Sequence, residues 1–100
     1  MYARVVTRQT KPGAMKEAIV EYRNNVLPAA NEHPGFKGLL ALADHGTGKL
    51  VSITLWESER DMLAGEHSQY LQQQFDRMAP YVSGAPTVER FEVVVSTPIK

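Results

Sequence analysis

Residues 33–62, HPGFKGLLALADHGTGKLVSITLWESERDM, contain two strand patterns, a turn between them and the start of a helix. Phe36 to Asp44 and Leu50 to Glu57 are rich in apolar residues, and residues 45–49 have the length and glycine content of a hairpin connection. Ser58 and Asp61 have the spacing of a capping box, which satisfies free N–H groups at a helix N-terminus. The stretch therefore predicts strand, turn, strand and helix in succession.

The residues before this stretch predict a strand and a helix. Tyr2 to Gln9 alternates between apolar and polar residues and ends at the turn Lys11-Pro12-Gly13. The helix that follows is expected to kink or break at Pro28, because proline removes a backbone donor and crowds the preceding turn. Its apolar stripe consists of Met15, Ala18, Ile19, Tyr22, Val26 and Ala29.

The residues after the stretch predict a second helix and a last strand. The helix is expected to be interrupted at Gly65, since glycine weakens a helix interior, and to bury Leu71, Phe75, Met78 and Val82. Thr87 to Ser96 alternates as a strand. The order βαββαβ predicts an α+β, ferredoxin-like fold, an antiparallel sheet with helices on one face. Residues 1–100 are expected to form one domain.

The alternation of the strands divides their side chains between two faces. One face is predicted to be almost purely apolar and consists of Ala3, Val5, Leu39, Ala41, Ala43, Val51, Ile53, Leu55, Phe91, Val93 and Val95. The other face is mixed and consists of Tyr2, Arg4, Val6, Arg8, Phe36, Leu40, Leu42, Ser52, Thr54, Trp56, Arg90, Glu92 and Val94. One layer of helices covers only one face, and the mixed face is too apolar for water. We therefore expect a homodimer that packs sheet to sheet as a dimeric α+β barrel.

Composition argues against several classes of partner. The 11 basic and 11 acidic side chains cancel without forming blocks of like charge, so neither nucleic acid nor an anionic membrane is an expected partner. The chain has no cysteine, which argues against disulfides and thiolate sites. No apolar run approaches the roughly 20 residues of a membrane span, and the N-terminal residues lack the apolar core of a signal peptide. A cytoplasmic location is expected.

The chain resembles the antibiotic biosynthesis monooxygenase-like family of dimeric α+β barrels, from Val5 to about Val95. The matching segments are Pro12-Gly13, His33-Pro34-Gly35-Phe36 and Leu55-Trp56-Glu57-Ser58 followed by Glu59-Arg60-Asp61-Met62. These residues have turn, capping and packing roles, so they indicate the fold more than the chemistry. The superfamily includes cofactor-free quinone-forming monooxygenases, haem-degrading enzymes, small isomerases and proteins without an assigned activity.

Departures from the family pattern separate these activities. Gly65 and Tyr70 stand where many relatives have histidines. Three residues of the haem-degrading branch are replaced, at Val5 or Val6, at Gly65 and near Phe75 or Asp76. The resemblance therefore argues against haem degradation, and no cofactor is expected.

The resemblance implies a cofactor-independent monooxygenase that acts on a small aromatic or polyketide-like molecule in a cleft between helices and sheet. Such an enzyme needs a base, donors that stabilise a substrate anion, and a dry pocket. His67 is the predicted base, on or beside the buried face of the second helix, because imidazole titrates near neutral pH. Tyr70 is the predicted donor. An exposed histidine and a tyrosine that only packs its ring are the structural alternatives.

The predicted substrate-binding residues are Tyr22, Asn24, Asn25, Trp56 and Phe75. The two asparagines are poor helix formers beside Pro28, where they could line the mouth of the cleft or bind the carbonyls that the proline frees. Trp56 is equally well explained as a packing anchor. His33 and His45 are expected in solvent, and three histidines on separate elements predict no metal site.

Charged residues on adjacent strands have two interpretations. Arg4, Arg8, Arg90 and Glu92 could bind an anionic substrate if their face lines a pocket, but a salt-bridge network at the dimer interface is favoured. Two other functions stay open besides the monooxygenase. One is a non-catalytic ligand-binding or stress-related dimer, suggested by the missing histidines, and the other is an isomerase that transfers protons without oxygen.

Overall fold

The computed structural model describes residues 1–98, so residues 99 and 100 of the expected single domain lie outside the described residues. The strands are β1 (Tyr2–Thr10), β2 (Phe36–Asp44), β3 (Lys49–Trp56) and β4 (Val82–Glu92). The helices are α1 (Met15–Glu21), α2 (Leu27–Asn31), α3 (Glu59–His67) and α4 (Tyr70–Met78), with a π-helical turn at Tyr22–Val26 and a 3₁₀ turn at Ala79–Tyr81. The strands form one antiparallel sheet in the order β2-β3-β1-β4, which confirms the predicted α+β, ferredoxin-like arrangement.

The irregularity predicted at Pro28 takes the form of the π-helical turn between α1 and α2. The N–H of Leu27 donates to the carbonyl of Tyr22, five residues earlier. Pro28 lies in the first turn of α2, where a missing N–H removes no hydrogen bond within that helix. Val26, at the end of the π turn, packs in the core with Ala18, Leu50 and Met78.

The second pair of helices divides later than the sequence predicted. α3 continues through Gly65 to His67, and the break lies at residues 68–69. A Cβ on Gly65 would lie 3.2 Å from the Tyr70 ring and 3.5 Å from the His33 ring. Gly65 therefore allows two aromatic side chains to approach the helix, instead of interrupting it.

The connection from β3 into α3 has the predicted capping residues. The Oγ of Ser58 accepts a hydrogen bond of 3.1 Å from the N–H of Asp61. Gly35, which precedes β2, adopts φ +82°, and a Cβ there would collide with the Asp61 side chain. The glycine of the His33-Pro34-Gly35 turn is thus required both by its backbone conformation and by its contact with the cap.

The last strand begins and ends earlier than the predicted range, Thr87 to Ser96. Gly84 and Pro86, which precede the predicted range, lie inside β4 at a bulge. The register of β1 and β4 shifts between residues 7 and 9, so residues 84–86 all stand opposite Arg8. A bulge accommodates both residue types, because its residues need not complete the ladder of hydrogen bonds.

A second irregularity reverses the predicted faces of β2. Phe36 pairs with Trp56, and Gly38 pairs with Leu55, which is adjacent to Trp56 in β3. Lys37 is therefore an extra residue in β2. Beyond it Leu39 pairs with Thr54 and Leu40 with Ile53, the opposite of the predicted assignment. One inserted residue moves every following side chain to the other face of a sheet.

The helices cover the face that carries the arginines, so the prediction that they cover the purely apolar face is wrong. Arg4, Val6 and Arg8 are 1 %, 6 % and 8 % exposed beneath them. On the neighbouring strand β3, Ser52 and Thr54 pair with Val6 and Arg4 and share this covered face. The interface network proposed for Arg4 and Arg8 is therefore also wrong, because both side chains point away from the open face.

The open face of the sheet is the more apolar one. Leu40 and Leu42 lie beside Ile53 and Val51 on this face and are 37 % and 49 % exposed. Phe91, on β4, is 51 % exposed. These exposed side chains lie on the two edge strands of the sheet, and exposed apolar side chains of this number and size seldom face water in a monomer.

Candidate active site

A cavity of about 30 Å³ lies between the covered face of the sheet and the helices. α4 contributes Tyr70, Gln74 and Phe75, and β1 contributes Arg4 and Arg8. The volume suffices for about two water molecules. It is far below the roughly 300–1,000 Å³ of sites that enclose a small organic molecule. A larger ligand therefore has to displace side chains of the cavity wall.

Glu66 on α3 joins two neighbouring strands at one end of the cavity. Nη1 of Arg4 lies 3.3 Å from Oε2 of Glu66 and donates to the Met62 carbonyl at 3.0 Å. Nε of Arg90, whose residue pairs with Arg4 across the sheet, donates to both Glu66 oxygens at 2.8 and 3.0 Å. Burial alone would raise the pKa of Glu66, but Arg90 and Arg4 outweigh it and lower that pKa.

Arg8 has no such counter-charge. Its Nη2 donates to the carbonyl of Gly84 at 3.3 Å, and its guanidinium carbon lies 5.6 Å from the centre of the Phe75 ring. No Asp or Glu within residues 1–98 forms an ion pair with it. Burial lowers the pKa of Arg8, yet guanidinium groups stay protonated in proteins. A buried, unneutralised positive charge therefore faces the cavity.

Two tyrosines predicted for the site, Tyr22 and Tyr70, line the cavity. Burial raises the pKa of Tyr22, opposed by its hydrogen bond with Ser52 and by Arg8. Burial also raises the pKa of Tyr70, opposed by Arg4. Both phenols are consequently neutral at physiological pH and can donate a hydrogen bond. Phe75, the third predicted residue brought here, forms part of the apolar wall.

Three of the predicted site residues lie elsewhere. His67 is exposed at the end of α3 and is not part of the cavity lining, so its predicted position on or beside the buried face is wrong. Asn24 and Asn25 are exposed on the outer side of the π turn, where Asn25 donates to Glu21. The expectation that they line the mouth of the cleft is therefore also wrong, because the turn directs Tyr22 and Val26 inward instead.

Trp56 is a packing anchor next to the cavity. It is fully buried, and its Nε1 donates to Oγ1 of Thr54 at 2.9 Å. The Arg4 guanidinium carbon lies 5.1 Å from its ring centre, within the range of a cation–π contact. The His33 ring packs edge-on against Trp56 at 5.4 Å and lies 4.5 Å from Tyr70. The prediction of a solvated His33 is thus wrong, whereas His45 is exposed as expected.

Gln74 is a cavity residue that the sequence prediction missed. It is 7 % exposed and lies four residues after Tyr70 and four before Met78, inside the buried stripe of α4. A polar residue at a buried position of an amphipathic helix is the signal that could have identified it. For Arg4 and Arg8, the sequence signal of a position at the cavity was the pair of polar residues on the same face of the adjacent strand, Ser52 and Thr54.

Within residues 1–98, no group of three or more His, Cys, Asp or Glu side chains is arranged to hold a metal ion. No helix in the described part of the chain has the length and apolar character needed to cross a membrane.

The family model for antibiotic biosynthesis monooxygenase matches residues 1–72. The chain belongs to this family. Two uncharacterised relatives of this monooxygenase family member come from Mycobacterium tuberculosis. Rv2557 is 29 % identical over 93 residues and Rv2558 is 28 % identical over 96 residues, covering 93 % and 95 % of this chain. The matches cover 41 % and 39 % of the relatives, so the chain spans about two fifths of their length.

Solved structures share the fold of this monooxygenase family member. The protein NE2512 of Nitrosomonas europaea, of unknown function, has a TM-score of 0.75 and 21 % identity, with 99 % of this chain and 94 % of that chain covered. The monooxygenase from the gene ActVA-Orf6 of Streptomyces coelicolor, in complex with nanaomycin D, has a TM-score of 0.72 and 20 % identity, with 99 % and 92 % covered. At these identities the likeness establishes the architecture.

The ion pairs of Glu66 predict a specific dependence of stability on pH. Because its pKa is lowered in the folded state, its stabilising contribution is present above the unfolded pKa of about 4.3 and is lost as the pH falls through the folded pKa. We expect Glu66→Gln to cost about 3 kcal/mol of unfolding free energy at pH 7, since it leaves Arg4 buried without a counter-charge. Urea denaturation at pH 7 and pH 3 should show this difference shrinking with acidification.

Glu57→Gln is the matched control for Glu66→Gln. Glu57 pairs with Lys37 at 3.0 Å on the surface, with side chains 62 % and 49 % exposed, and such pairs contribute little. Equal losses of stability in the two variants, or a loss in Glu66→Gln that does not change with pH, would contradict the role of Glu66.

Proposed function

We propose that this protein is a cofactor-independent monooxygenase that oxidises a small aromatic or polyketide-like molecule in the cavity between helices and sheet. The observation that carries the proposal is the cavity itself, where Tyr22 and Tyr70 can donate hydrogen bonds beside buried guanidinium groups within a mostly apolar wall. Membership of the monooxygenase family supports oxygen chemistry. The nanaomycin D complex of the Streptomyces monooxygenase supports a small organic ligand.

The proposed reaction starts from an electron-rich substrate such as an anthrone. Loss of a proton gives an enolate, which passes one electron to oxygen and then forms a carbon–oxygen bond with the resulting superoxide. The hydroperoxide loses water and leaves a carbonyl group. One oxygen atom enters the product and the other leaves as water, and the substrate carbon supplies all four electrons. No external reductant is required.

Arg4 and Tyr70 are suited to stabilise the oxyanion of this enolate. The cluster contains two guanidinium groups, those of Arg4 and Arg90, and one carboxylate, that of Glu66. It therefore keeps a net positive charge. A positive charge and a phenol donor in a water-poor site lower the pKa of the bound substrate and favour its anion. A substrate that ionises more easily needs only a weak base, which is consistent with the exposed position of His67.

A non-catalytic ligand-binding protein is the second candidate. The observation in its favour is that His67, the predicted base, is exposed and lies outside the cavity lining. An isomerase that works by proton transfer is the third possibility from the sequence. It would turn over its substrate in the absence of oxygen, whereas the monooxygenase would not.

We further propose that two copies of the chain pack through their open sheet faces as a homodimer. The exposure of Leu40, Leu42 and Phe91 supports this arrangement, because association would remove a broad apolar surface from water. The partner face is therefore the apolar one, in place of the mixed face expected from the sequence. The cytoplasmic location stays a prediction.

Oxygen uptake tests the proposed reaction. With anthrone in air, we expect uptake of one O₂ for each anthraquinone formed, measured by an oxygen electrode and by absorbance. Tyr70→Phe should lower kcat by about 10- to 100-fold, because one donor to the developing oxyanion is lost. Tyr81→Phe is the matched control, since Tyr81 lies outside the cavity lining. The proposal fails if uptake never exceeds the protein-free rate for a panel of anthrones and hydroquinones.

Sedimentation tests the proposed dimer. We expect the wild-type chain to be dimeric at micromolar concentration and Leu42→Lys to be monomeric, because a charge at this position would be buried in the interface without a partner. Val20→Lys is the matched control. Val20 is 43 % exposed on α1, on the helical side of the sheet, so this variant should stay dimeric. A wild-type monomer, or dissociation of both variants alike, would contradict the proposed interface.

A further inference from the structure

Buried polar atoms without partners are concentrated around the cavity. Within residues 1–98, the buried side-chain atoms that lack a hydrogen-bond partner are Nε of Arg4, Nε of Arg8 and Oε1 of Gln74. All three residues line the cavity. Each such atom costs about 1–3 kcal/mol, and native proteins hold few of them. Their concentration in one place indicates a site that is completed by a polar ligand.

Arg4 and Arg8 differ in how their charge is balanced. Arg4 is paired with Glu66 and also donates to a main-chain carbonyl. The electron-rich neighbours of Arg8 are the carbonyl of Gly84, the face of Phe75 and the neutral phenol of Tyr22, none of which carries a negative charge. A charge-assisted hydrogen bond from an anion would therefore add more at Arg8 than at Arg4.

The bulge in β4 holds Arg8 in place. Residues 84–86 stand opposite Arg8, and the hydrogen bond to the Gly84 carbonyl fixes one end of the guanidinium. The Nε that has no partner belongs to the same planar group, so its direction is fixed as well. Bulges often occur next to active sites, where they redirect a side chain.

Gln74 presents an acceptor to the same cavity. Its Nε2 lies 3.3 Å from the carbonyl of Tyr70. A carbonyl only accepts hydrogen bonds, so the amide nitrogen has to face it and Oε1 is left without a donor. A ligand that satisfies both residues must carry a negative charge and a hydroxyl group.

We propose that Arg8 and Gln74 form a subsite for an aromatic hydroxy acid, whose carboxylate accepts from Nε of Arg8 and whose hydroxyl donates to Oε1 of Gln74. This inference rests on the proposed function, because it places the substrate in the same cavity. It narrows the substrate class from aromatic molecules in general to those that carry a carboxylate. A carboxylate is ionised at neutral pH, so it brings a full counter-charge to Arg8, whereas a phenol would first have to lose its proton.

Binding of 2,5-dihydroxybenzoate and of its methyl ester tests the subsite. The two probes have the same ring and hydroxyl groups, but only the acid carries a charge. Measured by calorimetry at pH 7 without oxygen, the acid should bind the wild-type chain about 10- to 100-fold more tightly, as expected for a hydrogen bond to a charged group. Arg8→Met should remove this preference.

Arg77→Met is the matched control for Arg8→Met. Arg77 is exposed on α4 and is not part of the cavity lining, so the variant should keep the preference for the acid. Gln74→Leu should weaken binding of 2,5-dihydroxybenzoate but not of 2,5-dimethoxybenzoate, which has no hydroxyl to donate. Far-UV circular dichroism establishes that each variant is folded, and Arg8→Gln, which also removes the charge, is the substitute if Arg8→Met is not.

Thermal unfolding gives an independent readout. The acid should raise the Tm of the wild-type chain and of Arg77→Met, but not that of Arg8→Met, because a ligand stabilises only the form that binds it. Arg8→Met without ligand should melt no lower than the wild type, since it removes a buried charge that lacks a counter-charge. A purely structural Arg8 would instead give a lower Tm in the variant and no ligand-dependent difference.

The outcomes separate this inference from the proposed function. Equal binding of acid and ester, no binding of the acid at millimolar concentration, or a preference that survives in Arg8→Met would overturn the subsite. Oxygen uptake with neutral anthrones combined with any of those results would leave the monooxygenase standing without the subsite. An acid preference that depends on Arg8, without oxygen uptake for any substrate, would support the subsite and overturn the monooxygenase.

Discussion

Two arginine side chains lie between the sheet and its helices, and much of the remaining structure compensates for their burial. A guanidinium group can enter such a layer only if carboxylates, carbonyls or aromatic faces replace its water. At Arg4 this is achieved by Glu66, Trp56 and the main chain of α3. At Arg8 the water around the guanidinium group is replaced only in part, because its Nε has no hydrogen-bond partner. The difference between the two positions separates a structural ion pair from a candidate binding group.

The same constraint accounts for which face of the sheet is open. Because the charged face is enclosed by helices that supply its partners, the apolar face has no element of residues 1–98 packed fully across it and leaves Leu42 and Phe91 half exposed. In the proposed dimer, each chain would then contain two buried layers. One would be polar at its centre and suited to a ligand, and the other would be apolar and suited to association.

The sequence predicted the element order and the capping residues, because both depend on local patterns, whereas the homodimer stays a prediction. The predicted faces of β1, β3 and β4 agree with the structure, but those of β2 are reversed by a bulge, and the helices were placed on the wrong face. Lys37 is inserted into β2, and residues 84–86 all stand opposite Arg8. Neither insertion changes the residue pattern that marks a strand. The single extra residue in β2 shifts the phase of alternation, whereas the two extra residues in β4 leave its phase unchanged. Tyr22, Tyr70 and Phe75 line the cavity, whereas His67 lies outside the lining because α3 ends at this residue.

Solvent exchange of the arginine Nε–H groups tests the burial of Arg4 and Arg8 most directly. In the ¹⁵N-labelled protein at neutral pH, the account predicts that the Nε–H protons of Arg4 and Arg8 exchange with water far more slowly than that of the exposed Arg77. Exchange at Arg4 and Arg8 as fast as at Arg77 would place both guanidinium groups in solvent and contradict the arrangement of the sheet, the cavity and the open face alike.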